Sequence, residues 1–205
     1  GTLDLSLTSD FTMSNGIINF LNPNGTGNFD VIILNSSGSK SFSGGTFNFG
    51  DGTADTYKIS SAVPFPVITS AANTNLEYKL LLTSTGTFNF PLVDAIPATI
   101  QINGGSVAPG AFVEIKTTGT KLFENKNLNN YLKRYWTVST GGVSNYDITA
   151  SYANGDIVGT ESKIVMAGWS GSLPWVNYNN ADPSSNTVTA TGISASNLVF
   201  AGISS

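Results

Sequence analysis

The sequence predicts an all-β chain. Three observations carry that prediction: apolar and polar residues alternate with a period of two in run after run, Gly- and Asn-containing turn pairs separate the runs, and only one segment shows helical spacing. The alternation begins at once, with Leu3, Leu5 and Leu7 set between Thr2, Asp4, Ser6 and Thr8. Runs of strand character follow at Val31–Leu34, Thr46–Phe49, Tyr78–Leu82 and Thr99–Ile102. More come at Trp136–Val138, Tyr146–Tyr152, Lys163–Met166, Thr187–Ala190 and Leu198–Ala201. Asn15-Gly16, Asn24-Gly25, Asp51-Gly52, Gly104-Gly105, Gly141-Gly142 and Asn154-Gly155 stand between them as turns. Helical spacing occurs at Leu128, Tyr131, Leu132 and Tyr135. The neighbouring Asn125, Asn127, Asn129 and Asn130 are poor helix formers, so a loop or one short turn is expected there.

Composition narrows the function. The 205 residues are 40% hydrophobic but only 11% charged, so Ser, Thr, Asn and Gly supply the polar surface. That balance suits an extracellular β-protein. There is no cysteine, hence no disulfide framework and no thiolate nucleophile. There is no histidine, hence no imidazole base and no Ser-His-Asp or Cys-His machinery. Zinc sites built on either residue are excluded too. A net charge of −4 argues against a nucleic-acid partner. No apolar run is long enough for a membrane-spanning helix. Residues 1–7 already read as a strand, with no basic and apolar leader before it, so the chain is expected to begin in mid-architecture.

An internal repeat organises the first half. Ser14-Asn15-Gly16-Ile17-Ile18-Asn19-Phe20, Ser43-Gly44-Gly45-Thr46-Phe47-Asn48-Phe49 and Ser84-Thr85-Gly86-Thr87-Phe88-Asn89-Phe90 share the pattern Ser-x-Gly-x-(Ile/Phe)-Asn-Phe, 29 and then 41 residues apart. Gly permits the turn, two alternate apolar residues point inward, and Asn lies between them on the other face. Periods of this size suggest stacked units. The longer second spacing holds Val63-Pro64-Phe65-Pro66-Val67, read as an extended excursion. A sandwich built of similar hairpins is the rival arrangement. Beyond about residue 92 the pattern stops, charge and aromatics rise together, and all three tryptophans appear. The expected organisation is therefore stacked, solenoid-like β-repeats over residues 1–92 and an immunoglobulin-like β-sandwich over residues 93–205.

The second half carries a resemblance. Phe90-Pro91-Leu92 precedes an Ala-Thr-Ile-Gln-Ile strand. Leu132-Lys133-Arg134-Tyr135-Trp136-Thr137-Val138, Tyr146–Tyr152, Asp156-Ile157-Val158-Gly159-Thr160-Glu161 and Trp175 after a Gly-rich turn follow in order. This order, over roughly residues 86–203, resembles β-sandwich modules of large surface and secreted proteins of the Bacteroidetes, adhesin-like proteins exported by type IX secretion. Those modules open on Phe-Pro-Val-Gly, where this chain reads Phe-Pro-Leu-Val without the glycine. The resemblance implies an extracellular, cell-surface location and an internal fragment of a longer protein. It names no ligand.

Site candidates are few. Trp169, Trp175 and Tyr178, with Asn177, Asn179, Asn180 and Asp182 beside them, have the aromatic faces and amides that a glycan site needs; the alternative is that the tryptophans fill a disulfide-free core. Trp136, followed by β-branched Thr137 and Val138 in a strong strand, is expected in the core. Asp51 and Asp55 flank a Gly as calcium ligands would, or form a plain Asp-Gly turn. Asn154-Gly155-Asp156 with Glu161 reads as a hairpin turn and a solvated strand. Arg134 shares a strand face with Trp136 and Val138, so it needs a carboxylate, Asp147 or Glu114, or an aromatic ring. Most of the thirteen acids stand singly in turns, and no stretch clusters acids with aromatics, which speaks against a paired-carboxylate hydrolase. The expectation is a non-catalytic structural or adhesive segment of a bacterial cell-surface protein, with no cofactor beyond calcium at that one loop. Its partners would be neighbouring domains of the same longer chain and polysaccharide or cell-surface glycans. The alternatives are a carbohydrate-binding module of a secreted protein and, behind it, a β-solenoid polysaccharide hydrolase.

Overall fold

The computed structural model describes residues 2–4, 11–20, 28–33, 40–42, 46–49, 56–61, 67–70, 75–92, 96–104 and 106–205. Among them every regular element but two short 3₁₀ turns is a strand, so the chain is all-β. The strands fall into several sheets.

The first nine strands pair in parallel with one another. They are β1 (Thr2–Asp4), β2 (Phe11–Met13), β3 (Ile17–Phe20), β4 (Asn28–Ile33), β5 (Lys40–Phe42), β6 (Thr46–Phe49), β7 (Thr56–Ser61), β8 (Val67–Ser70) and β9 (Asn75–Leu81). Three parallel ladders result: β1-β4-β7-β9, β2-β5 and β3-β6-β8. The repeat explains one register. Ile17, Ile18, Asn19 and Phe20 face Thr46, Phe47, Asn48 and Phe49 in order, so two copies of the motif lie side by side. The Asn48 amide donates to Asn19 Oδ1 at 3.0 Å, and Phe20 packs on Phe47 with ring centroids 5.2 Å apart. Inward residues of the neighbouring ladder also match: Tyr57 faces Leu76 and Ile59 faces Tyr78, and all four are buried. Parallel pairing thus sets like beside like in an apolar column.

The third copy behaves differently. It forms β10 (Gly86–Phe90), which pairs antiparallel with β11 (Ala98–Asn103), and β8 takes the place beside β6 instead. The alternation survives, since Phe90 is buried and Asn89 exposed, but the ladder of three motif copies does not form. Residues 63–66 of the Pro-rich excursion lie outside the described residues, as do Asn24-Gly25 and Asp51-Gly52.

The remaining strands are antiparallel: β12 (Phe112–Thr118), β13 (Tyr131–Leu132), β14 (Tyr135–Gly141), β15 (Asn145–Ser151), β16 (Ile157–Val158), β17 (Ile164–Trp169), β18 (Val176–Asn180), β19 (Thr187–Ile193) and β20 (Asn197–Ser204). One sheet has the order β10-β11-β15-β19. The other continues the first parallel ladder, as β1-β4-β7-β9-β12-β14-β20-β17-β18. β9 is the joint: it runs parallel to β7 and antiparallel to β12. Strands from both sides of residue 92 therefore share both large sheets.

Buried and half-buried residues alternate along β11, β14 and β15, and the buried sets of the two sheets join in one apolar cluster, a sandwich-like arrangement. Trp136 is fully buried within it, as its strand pattern predicts. Each large apolar side chain so buried contributes about 1.5–3 kcal/mol. β17 departs from the alternation, with five successive buried residues from Ile164 to Gly168. Its second face is covered by the segment 119–132. Gly202 of β20 makes that cover fit, since a Cβ there would come within 2.5 Å of Leu132 Cγ.

Candidate functional site

The covering segment builds one wall of a groove. As the Asn run predicts, residues 119–130 form no helix, and their Asn side chains bond both within the loop and beyond it. Asn125 is buried; its Nδ2 donates to the Gly202 carbonyl at 3.4 Å and its Oδ1 accepts from the Asn127 N–H at 3.0 Å. Asn127 Oδ1 in turn accepts from the N–H groups of Asn129 and Asn130, at 3.0 and 3.2 Å. These side-chain-to-backbone bonds do locally what a helix would have done. Lys121 donates to the Asn127 carbonyl and lies 4.2 Å over the Tyr131 ring.

A buried ion pair stands just beyond the end of that segment, where the Lys133 N–H also donates to the Asp156 carbonyl at 2.7 Å. Arg134 Nε donates to Asp156 Oδ2 at 2.8 Å, with both side chains nearly solvent-free, and Arg134 Nη1 reaches Thr117 Oγ1 at 3.4 Å. The inward face expected for Arg134 is correct. The expected carboxylates are not. Asp147 Oδ1 accepts from the Gly192 N–H, and Glu114 pairs elsewhere. Asp156 falls in the expected Asn154-Gly155-Asp156 turn and is buried there, because a 3₁₀ turn at Asn154–Asp156 folds its carboxylate back to Arg134. Glu161 accepts from the Tyr152 hydroxyl at 2.6 Å. Between them Gly159, at φ +84°, passes so close to Asn129 that a Cβ would overlap that residue's carbonyl oxygen. Only glycine combines that dihedral with that approach.

The other wall comes from the β17–β18 hairpin. Trp169 ends β17, Trp175 precedes β18, and their rings lie 5.1 Å apart, tilted by 36°. Both are half-buried. Together with Leu173 and Ile203 they face Phe123, Glu124, Asn125, Lys126 and Asn127 across a groove of about 510 Å³. Phe123 is 81% and Leu173 74% exposed, so the groove has an apolar lip as well as a floor. Lys126 Nζ sits 3.6 Å over the Phe123 ring and donates to the Phe123 carbonyl at 2.8 Å.

The structure therefore brings Trp169 and Trp175 together and leaves the other sequence candidates apart from them. Tyr178 lies on β18 against Phe200 of the core, ring centroids 6.1 Å apart. Asn177 is exposed on β18 and does not line the groove. Asp182 is spent in a tight turn, accepting from the backbone and side chain of Ser184 and the hydroxyl of Ser185, which hold its carboxyl below its ordinary range. Sequence reasoning missed Phe123, Lys126 and Leu173; exposed apolar residues inside Asn- and Gly-rich loops were the signal. Asp51 and Asp55 lie outside the described residues. Among the described residues no cluster of acidic side chains is arranged to hold a metal ion.

One carboxylate pair is close. Glu77 of β9 and Glu114 of β12 each approach Lys58 of β7 to 3.2 Å, across the joint between the parallel and antiparallel strands. A hydrogen bond from Glu114 lowers the Glu77 pKa, whereas burial and that same bond raise the Glu114 pKa. Burial works against the Lys58 charge, but the two glutamates outweigh it and raise its pKa. Neither glutamate lines the groove.

Neither a protein-family model, a curated protein nor a solved structure matches this chain.

Proposed function

We propose that this chain is a non-catalytic, adhesive segment of a bacterial cell-surface protein, and that the groove between residues 123–127 and the β17–β18 hairpin is its glycan-binding site. The parallel ladders are then a solenoid-like stalk, and the antiparallel strands an immunoglobulin-like sandwich that presents the groove. The observation that carries the reading is the Trp169–Trp175 pair, half-exposed and side by side on an open groove. Indole faces take the C–H faces of sugar rings, while Glu124, Lys126 and Asn127 offer hydroxyl partners at the rim. Asn127 already holds its loop through its own side chain, so that part of the rim is organised before any ligand arrives.

The test is a titration of the chain against bacterial and algal polysaccharides, read by tryptophan fluorescence. Saturable binding is expected for one glycan class. Trp169→Ala and Trp175→Ala should each weaken it by about tenfold or more, equivalent to about 1.4 kcal/mol, with the unfolding midpoint little changed. Binding indifferent to both substitutions, or no binding to any glycan, would remove the groove from the proposal. A purely structural role would then remain.

A further inference from the structure

We propose that the edge formed by β1, β2 and β3 is a docking surface for one more turn of the same repeat, added in parallel register. The inference rests on the stacked-repeat reading of the first half and goes beyond it by naming the occupant. Among the described residues, β1, β2 and β3 each have a neighbour on one side only, β4, β5 and β6 respectively. The three open edges thus belong to one turn of the chain. The repeat specifies what fits them. β3 presents outward the same motif that β6 presents to β3, so the surface that accepts one Gly-x-(Ile/Phe)-Asn-Phe strand is offered again one step further on.

Two features mark the edge as one to be covered. Asn19 uses one end of its amide on Asn48, and the other end suits the next asparagine in a column. Ile17, on the same outer strand, is 67% exposed. Exposed edges are usually blunted by lysine, proline or bulges. Residues 1–20 contain no lysine, arginine or proline, and their only charges are Asp4 and Asp10. An incoming strand would satisfy main-chain groups by β-augmentation while its own apolar-Asn-apolar alternation reproduced the column.

The probe is a synthetic peptide of residues 2–20, labelled and titrated with the whole chain by fluorescence anisotropy. Saturable binding is expected, absent for a scrambled peptide and at least about tenfold weaker for the Ile17→Lys chain. Ile17 is exposed, so that variant should keep its unfolding midpoint. No binding, or binding indifferent to Ile17→Lys, would overturn the proposal. So would a dimer in sedimentation that excludes the peptide, because the edge would then close on a second copy. An Asn19→Cys/Asn48→Cys chain tests the stack itself, since in-register neighbours should form a disulfide. If that disulfide closes and the peptide does not bind, only the docking edge fails. If it does not close, the stacked reading has failed first. Glycan titration is independent of both.

Discussion

The parallel ladders and the antiparallel strands solve the same problem, fixing strand register, by different means. In the first half like residues share a register: Asn19 meets Asn48 and Phe20 meets Phe49. In the second half it comes from contacts that occur once. Arg134 has Asp156, Gly159 meets Asn129, and Gly202 receives Leu132. A self-similar stack is easily extended and leaves an edge that can accept more of itself. A set of unique contacts closes a particular shape, and here that shape includes the groove wall. On the proposed reading, the first half is built for length and the second for a site.

The contrast can be broken most severely in the second half. Asp156→Ala leaves the Arg134 charge buried without its carboxylate, so a loss of about 3–5 kcal/mol is expected, measured from the urea midpoint. Trp169 and Trp175 fluorescence should shift with it as the wall loosens. Phe47→Ala removes a fully buried ring from the parallel column, and about 3–5 kcal/mol is expected there also. If the halves differ as described, Phe47→Ala should leave the groove tryptophans unchanged at low urea, whereas Asp156→Ala should not.

Gly202→Ala comes next. The added methyl overlaps Leu132, so about 1–3 kcal/mol of overpacking is expected, together with weaker glycan binding as residues 119–132 lift. Smaller still is the pH response of the Lys58–Glu77–Glu114 group at the joint. Glu77 has its pKa lowered in the folded chain, so its contribution is present above the ordinary value of 4.5 and is lost as pH falls through the lowered one. Glu114 has its pKa raised, so its contribution is present below 4.5 and is lost as pH rises through the raised value. Glu114→Gln should abolish the second decline and keep the first, read from thermal midpoints across pH 3 to 8. The smallest change expected is at Tyr146. Its buried hydroxyl has no hydrogen-bond partner among the described residues, so Tyr146→Phe should be neutral or slightly stabilising in the same urea series.

The all-β class, most strands and the buried Trp136 were legible because period-2 alternation is a local property. The inward face of Arg134 was legible for the same reason. Its partner was not: Asp156 lies 22 residues away, in an Asn-Gly-Asp turn whose local signal says nothing of a buried partner. The groove was half legible. Trp169 and Trp175 stand close in sequence, but the opposite wall is supplied by Phe123 and its neighbours, more than forty residues earlier. Tyr178 and Asn177 are as close in sequence to Trp175, yet strand geometry sends one to the core and leaves the other outside the groove.

By itself, then, the sequence determined the class of structure and the chemistry it lacks, since neither needs a distant partner: alternation makes strands, and a chain without cysteine or histidine has no thiolate or imidazole chemistry. The tertiary structure alone decided which strands became neighbours. Motifs that share one pattern can all pair with one another, and only the packed chain put two copies of Ser-x-Gly-x-(Ile/Phe)-Asn-Phe in parallel and sent the third into an antiparallel sheet. Pairing of that kind depends on what each strand buries against, and so does the meeting of a loop and a hairpin that makes the groove.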